Sequence, residues 1–250
     1  MSRAKRLLRA CVLLIGLGSP AFAVDCSTLA HVGAAYTVCK VDTTQDAIRL
    51  FLKHPETGKP LGSFDNVERL VRPQGETLSF AMNAGMYHQD RSPVGHYLEK
   101  GQEARGVVTS AGPGNFGLLP NGVFCTTEDG AQVYETTRYV AERPGCTYAT
   151  QSGPMLVIDG ALHPRFIKDS DSRYIRNGVG TSADGKIVYF VISEAPVNFH
   201  AFGTLFRDVL KVPQALYFDG NISRLYVPGL NRHDMGFPMG PIVGVTQPAE

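Results

Sequence analysis

The chain has 250 residues, and 24 Lys and Arg against 23 Asp and Glu leave a formal charge of +1, which argues against a nucleic-acid or polyanion platform. Its 27 Gly and 16 Pro call for many turns and short elements, so a β-rich structure is expected.

Arg3, Lys5, Arg6 and Arg9 precede an apolar run at 10–17, followed by Ser19-Pro20-Ala21-Phe22-Ala23. A basic segment, a short apolar segment and an A-x-A site are the parts of a secretory leader. We therefore expect a signal peptide over 1–23, cleaved near Ala23, and one domain over 24–250 that is periplasmic or secreted. No later stretch approaches the roughly 20 apolar residues of a membrane helix, so no transmembrane segment is expected. Cys26, Cys39, Cys125 and Cys146 remain after cleavage, an even number that favours disulfides in an exported chain. Sequence does not choose among their three pairings. Local closure, Cys26–Cys39 and Cys125–Cys146, costs the least loop entropy and is the expected one. A zinc site is the weaker alternative, because no C-x₂₋₄-C occurs and the histidines are dispersed.

Residues 27–40 and 47–53 read as two strands around a turn at 42–46. In the second, Ile48, Leu50 and Leu52 alternate with Arg49, Phe51 and Lys53. Residues 63–71 fit a short helix capped by Ser63, with Phe64, Val67, Leu70 and Val71 on one face and Pro73 ending it. A strand at 78–82 runs into Asn83-Ala84-Gly85-Met86-Tyr87, an amide and a glycine directly after a buried strand. His96, a hairpin away, reads as a structural residue. A strand is expected at 105–109. The Gly-rich segment AGPGNFG at 111–117 lacks both the GK[ST] end of a phosphate loop and the G-x-G-x-x-G spacing, which rejects both nucleotide readings. Strands at 121–126 and 131–136 form a hairpin around Glu128-Asp129-Gly130, and 137–142 is a short helix.

In ATQSGPMLVIDG, a buried strand at 155–158 ends in Asp159-Gly160, and Gln151-Ser152-Gly153-Pro154 brings an amide and a hydroxyl ahead of it. Ser152 does not sit in a G-x-S-x-G elbow, so it is not read as a nucleophile. A basic loop over 166–176 feeds RNGVG at 176–180, and a strand at 186–193 ends at Glu194. Asn198 caps a helix over 199–211 with the stripe Phe199, Phe202, Phe206, Val209 and Leu210, and Pro213 stops it. The strand at 215–218 ends at Asp219-Gly220-Asn221, which is turn chemistry and equally the turn of a plain hairpin to 222–227. Asp219, Asn221 and Ser223 place a carboxylate, an amide and a hydroxyl at the mouth of a buried strand, where ligands tend to bind. The strand–helix–strand order puts Glu194 and Asp219 at strand ends that can be neighbours. Residues 232–238 read as a loop and 241–245 as a closing strand.

NAGMY, QSGPMLVIDG, RNGVG, the strand–helix–strand unit and FDGNIS together resemble the phosphodiester glycosidase family, over about Phe80 to Val245. NAGMY stands where the family has an N-G-G-F-F-like turn, RNGVG matches an R-x-x-x-G stretch, and DGNIS matches a D-G-G-G-S-like turn. Here Asn221 and Ile222 replace glycines, and Ser193-Glu194 stands where many members carry Asp-Gly. The resemblance implies an α+β fold, a single domain with a mixed, mostly antiparallel sheet core and few helices. It also implies hydrolysis of a sugar-1-phosphate diester to a phosphomonoester and a free sugar. For that chemistry Asp219 and Glu194 are the catalytic candidates, stabilising anomeric charge or activating water. Arg176 is the phosphate fork, aided by Asn83 and Ser152, with Gly85, Gly220, Asn221 and Ser223 completing the substrate site. Without Trp, Tyr87 and Phe199 are the candidate sugar platforms. No cofactor is required, although the oxygens of Asp219 and Glu194 suit Ca²⁺. The expected partner is a sugar phosphodiester or polysaccharide of the envelope or extracellular matrix, and no nucleic acid. The other reading is a non-catalytic glycan-binding or envelope-assembly protein, in which Asp219 orders its turn, Arg176 pairs with Glu194 and Asn83 caps a bend.

Overall fold

Four phenylalanines mark the joint at which three antiparallel sheets meet. Phe190 packs on Phe80 with ring centroids 4.9 Å apart and on Phe124 at 5.8 Å, and Phe124 meets Phe218 at 6.4 Å. Phe80 belongs to one five-stranded sheet, Phe124 to another, and Phe190 and Phe218 to a seven-stranded sheet. All four are fully buried, and their tilted and edge-on contacts add to the free energy of burial. The structure, a computed structural model, describes residues 24–249, and the leader assigned to 1–23 lies outside the described residues.

The seven-stranded sheet runs in the order Asp25–His31, Ala34–Asp42, Ile187–Ser193, Asn177–Thr181, Gln214–Asp219, Met155–Ile158 and Ala161–Leu162. Both of its faces are covered. In Ile187–Ser193, Val188, Phe190 and Ile192 point into the joint, while Val191 meets the apolar face of the helix that begins at Phe199. That double burial is why the segment reads as an unbroken apolar run. One five-stranded sheet runs Arg232–His233, Leu225–Val227, Glu76–Asn83, Ile242–Pro248 and Ile48–Phe51. Its outer face carries the helix Phe64–Val71, whose Phe64, Val67 and Val71 pack on Phe51, Leu78, Ala81 and Ile242. Ser63 caps this helix, its Oγ accepting from Asn66 N at 3.2 Å. The other five-stranded sheet runs Gln102–Arg105, Tyr97–Glu99, Tyr148–Ser152, Gly122–Thr127 and Gly130–Glu135.

All strand pairs among the described residues are antiparallel and helices are few, so the fold is of the α+β class with an antiparallel sheet core. Both local disulfides form: Cys26–Cys39 joins opposed positions of the first hairpin, and Cys125–Cys146 ties a strand to the loop that leaves the helix Thr136–Glu142. Among the described residues no helix is long and apolar enough to cross a membrane.

Several elements differ from the sequence reading, five of them for reasons visible in their surroundings. Residues 27–40 are not one strand but a hairpin, Asp25–His31 with Ala34–Asp42, because Val32 and Gly33 take left-handed conformations at φ 47° and 73°. The strand expected at 105–109 lies earlier, at Gln102–Arg105, and Val108 is held instead by the Gln151 side chain through both its N–H and its C=O. Residues 149–152 form a buried strand despite their polarity, since Thr150 Oγ1 donates to Ala84 O at 2.7 Å and Ser152 Oγ to Phe218 O at 2.8 Å. The helix over 199–211 is α-helical only across Phe199–Thr204 and then widens into a π-helical turn, Leu205–Val209, closed by Leu210 N donating to Leu205 O. The widening rotates Val209 out of the apolar stripe to 45 % exposure. Finally, Asp219-Gly220-Asn221 is no hairpin turn: Gln214–Asp219 and Leu225–Val227 belong to different sheets, and the chain crosses between them there.

Candidate active site

The crossing at 220–224 is braced by two buried asparagines at strand ends. Asn177 Nδ2 donates to Asn83 O at 2.9 Å and to Asn83 Oδ1 at 3.0 Å, and Asn83 Nδ2 returns a bond to Asn177 Oδ1 at 3.3 Å. Asn177 Oδ1 also accepts from the backbone N–H of Asp219 at 3.1 Å, and Asn83 Oδ1 from that of Arg224 at 2.9 Å. Ser223 Oγ donates to Ile175 O at 2.8 Å. Each buried amide thereby finds partners, and the two sheets are pinned on either side of the chain that passes between them.

Asp219 stands at this crossing. Its Oδ1 accepts from the backbone N–H groups of Gly220 at 2.6 Å and Asn221 at 3.0 Å, an Asx turn that fixes the carboxyl. Burial pushes its pKa above the ordinary aspartate value, against the pull of those N–H groups. Gly220 leaves room for the Tyr217 hydroxyl, which a Cβ at this position would displace.

A cleft of ≈ 850 Å³ opens over this turn. Asp219, Gly220, Asn221 and Ile222 form one wall, residues from the loop 86–94 and from the loop 113–116 form others, and Tyr174, Tyr217, Phe237 and Pro238 complete it. Burial and the nearby Asp219 carboxylate push the Tyr87 hydroxyl pKa up. Arg91 lies with its guanidinium 5.5 Å from the Tyr87 ring centroid, and no carboxylate among the described residues forms an ion pair with it. The cleft thus combines a desolvated carboxyl, an uncommitted cation, the imidazole of His88, the amides of Asn115 and Asn221, and aromatic faces.

Of the residues anticipated from sequence, Asp219, Gly220, Asn221 and Tyr87 line this cleft. The others stand elsewhere. Asn83 is fully engaged in the asparagine bracing, and Ser152 and Ser223 donate to backbone carbonyls. Gly85, at φ 138°, faces Thr150 and turns the chain into the loop that bears Tyr87. Arg176 is completely buried below the site: its Nε donates to Val197 O at 2.8 Å, its Nη2 to Ser172 O at 3.0 Å, and its guanidinium lies 3.6 Å from the Phe199 ring centroid. Phe199 therefore stacks under an arginine and is not among the cleft residues. Glu194 is not beside Asp219, because the strand Asn177–Thr181 separates their two strands. It pairs instead with Arg232 at 2.6 Å and accepts from Thr37 Oγ1 at 2.6 Å. The structure brings Glu194 together with neither Asp219 nor Arg176, so the two carboxylates supply no joint Ca²⁺ site.

Arg91, His88, Asn115, Tyr174 and Phe237 escaped the sequence reading. The available signals were the His-Gln-Asp-Arg turn after Tyr87 and the Gly-rich 111–117 segment, which carries no nucleotide signature yet supplies Asn115 and Phe116 to the cleft.

The sequence matches the phosphodiester glycosidase family over residues 76–246. It is 32 % identical over 227 residues to the Escherichia coli strain K12 protein named uncharacterized protein YigE, with 90 % of this chain and 86 % of that one covered. Among solved structures, the catalytic domain of zebrafish N-acetylglucosamine-1-phosphodiester alpha-N-acetylglucosaminidase, auto-inhibited by its pro-peptide, superposes with a TM-score of 0.60 at 13 % identity, over 89 % of this chain and 81 % of that one. A hypothetical protein from Synechocystis superposes with a TM-score of 0.57 at 12 % identity, over 89 % and 61 % of the two chains. At these identities the two structures bear on the fold alone. The sequence match spans most of the chain and takes in the asparagine bracing, Asp219 and the cleft loops: the chain belongs to the phosphodiester glycosidase family.

Proposed function

We propose that the protein is an exported hydrolase that cleaves a glycosyl phosphodiester of envelope or extracellular polysaccharide. The observation that carries this reading is Asp219, a carboxyl fixed by two backbone N–H groups and desolvated at the floor of a cleft whose uncommitted cation is Arg91. Family membership supports glycosidase-type chemistry on phosphodiesters, and the zebrafish relative is named for such a reaction. Water adds at the anomeric carbon and the anomeric C–O bond breaks, releasing the free sugar and a phosphomonoester. A phosphate leaving group needs little protonation, so one carboxyl suffices. Asp219 stabilises the developing oxocarbenium charge and orients the water, Arg91 holds the phosphate, and Asn221 offers its amide to the ligand. Arg176, Asn83, Ser152, Ser223 and Gly85 are positioning residues in this reading. Two disulfides and the leader-type N-terminus support a periplasmic or secreted location.

The non-catalytic reading requires Ile222 to fill the phosphate position. Ile222 lines the cleft but also packs on the cluster around the helix Phe64–Val71, and the cleft stays open beside it. The experiment is hydrolysis of chromogenic sugar-1-phosphate diesters by the wild type, Asp219→Asn and Arg91→Ala. Turnover that falls at least about a hundredfold in folded Asp219→Asn supports the hydrolase. Absence of wild-type turnover across several sugars sinks it and leaves a glycan-binding protein.

A further inference from the structure

Phe237, which lines the cleft, and Met235, two residues before it, are largely uncovered among the described residues. Phe237 is 77 % exposed and Met235 is 78 % exposed, more than any other large apolar side chain among the described residues. Arg224 holds the backbone of this segment. Its nearly buried guanidinium donates through Nη1 to Phe237 O at 2.6 Å. Gly236, at φ 147°, rests so close to the same guanidinium that a Cβ would collide with it. Asp234 adds a second tie, its Oδ2 accepting from Leu225 N at 2.9 Å. Arg224 also donates its own N–H to Asn83, so the backbone under Phe237 is anchored to the bracing that positions Asp219. A buried arginine that fixes the chain beneath an uncovered ring presents that ring, and uncovered apolar surface beside a cleft marks a ligand contact.

We infer that Phe237 and Met235 bind the apolar chain of the phosphodiester's alcohol, which makes the substrate class a glycosyl phosphate esterified to a long aliphatic alcohol. This rests on the hydrolase reading above. The phosphate end of the cleft adjoins the apolar mouth: Arg91 lies 5.5 Å from the Tyr87 ring, and the Tyr87 hydroxyl donates to Pro238 O at 3.4 Å, one residue from Phe237. With the sugar carbon over Asp219, as the hydrolase reading has it, the apolar group is placed on the alcohol side of the phosphate. Hydrolysis then consumes water, breaks the anomeric C–O bond and yields the free sugar and the alkyl phosphate monoester.

The test compares the methyl and decyl esters of one sugar 1-phosphate, the decyl ester both dispersed below its micellar concentration and embedded in phosphatidylcholine vesicles. The expected kcat/KM is at least about tenfold higher for the decyl ester, chiefly through KM. In the Phe237→Ser, Met235→Ser double variant the decyl-to-methyl ratio is expected to fall to near one, with an unchanged melting temperature because both side chains are exposed. Equal kcat/KM on the two esters in the wild type, or a ratio that survives in the double variant, overturns the inference. Turnover preserved on vesicles supports it with a membrane lipid as the source of the chain, and turnover of the dispersed ester alone supports it with a soluble amphiphile. If neither ester is hydrolysed, the hydrolase reading fails and calorimetric titration with the same two esters decides the inference. Tighter decyl binding that is lost in the double variant supports it, and equal binding overturns it.

Discussion

Asn83 and Asn177, on strands of two different sheets, hold each other through their side-chain amides and share between them the N–H groups of Asp219 and Arg224. One pair of amides therefore sets both the carboxyl on the cleft floor and the arginine under its apolar rim. The backbone of Asp219 is held by a seam between sheets, and its carboxyl by the N–H groups of Gly220 and Asn221 that follow it.

Asn177→Ala removes the centre of that bracing and leaves several buried groups unpaired. A loss of about 2–4 kcal/mol in unfolding free energy is expected. Turnover of any diester substrate is expected to fall at least about tenfold as Asp219 loses its backbone anchor. Urea denaturation and steady-state kinetics on the same preparation separate the two effects.

Asp219 makes stability depend on pH with a definite sign. Burial raises its folded pKa above 3.8, so the folded protein binds this proton more tightly than the unfolded chain does. Below 3.8 the carboxyl is protonated in both states. As pH rises from there through the folded pKa, the unfolded chain ionises first and the wild type loses stability relative to Asp219→Asn, which cannot ionise. Urea titrations of both proteins from about pH 3.5 to pH 7 check this. A wild type that gains on the variant over that window contradicts it.

Glu194→Gln tests the separation of the two carboxylates. Glu194 is engaged with Arg232 and Thr37 away from the cleft, with a third of its side chain exposed. The expected kcat/KM lies within about twofold of wild type, and the stability loss stays under about 1 kcal/mol, the range of exposed ion pairs. A hundredfold loss of turnover in the folded variant would return Glu194 to the reaction.

The two arginines are expected to behave oppositely. Arg91→Ala raises KM for a phosphodiester at least about tenfold and leaves stability within about 0.5 kcal/mol. Arg176→Lys keeps the charge but loses the planar fork that reaches Val197 O and Ser172 O and stacks on Phe199. It is expected to cost about 2–4 kcal/mol while KM stays within about threefold. Melting curves and kinetics on both variants decide which arginine meets the phosphate.

Much of the framework was legible from residue pattern alone. Ser63 caps its helix, the Glu128-Asp129-Gly130 hairpin forms, and both disulfides close locally, because each depends on neighbours in sequence. Asp219 was legible because turn chemistry after a buried strand is a local signal. The partners of Arg176 and Glu194 were not, since both depend on which strands lie side by side. Glu194 meets Arg232, 38 positions away, and Arg176 folds back onto the backbone of the loop before it and the turn after Glu194. The strand Tyr148–Ser152 was hidden by its polarity, which only the surrounding carbonyls make tolerable. The Arg91 and Phe237 loops carry no periodicity, so only the assembled cleft shows their common purpose.

Because the chain changes sheets at Gly220–Arg224, the carboxyl on the cleft floor is carried by the β framework, and two of the cleft's loops reach it from elsewhere in the chain. The floor is clamped by two asparagines within the β framework and residues 235–238 are tied to the same clamp through Arg224, whereas residues 86–94 and 113–116 approach as surface loops. Substitutions in those two loops are therefore expected to change the ligand that is accepted while leaving the carboxyl in place. In the laboratory the same division makes those two loops the natural place to graft new selectivity.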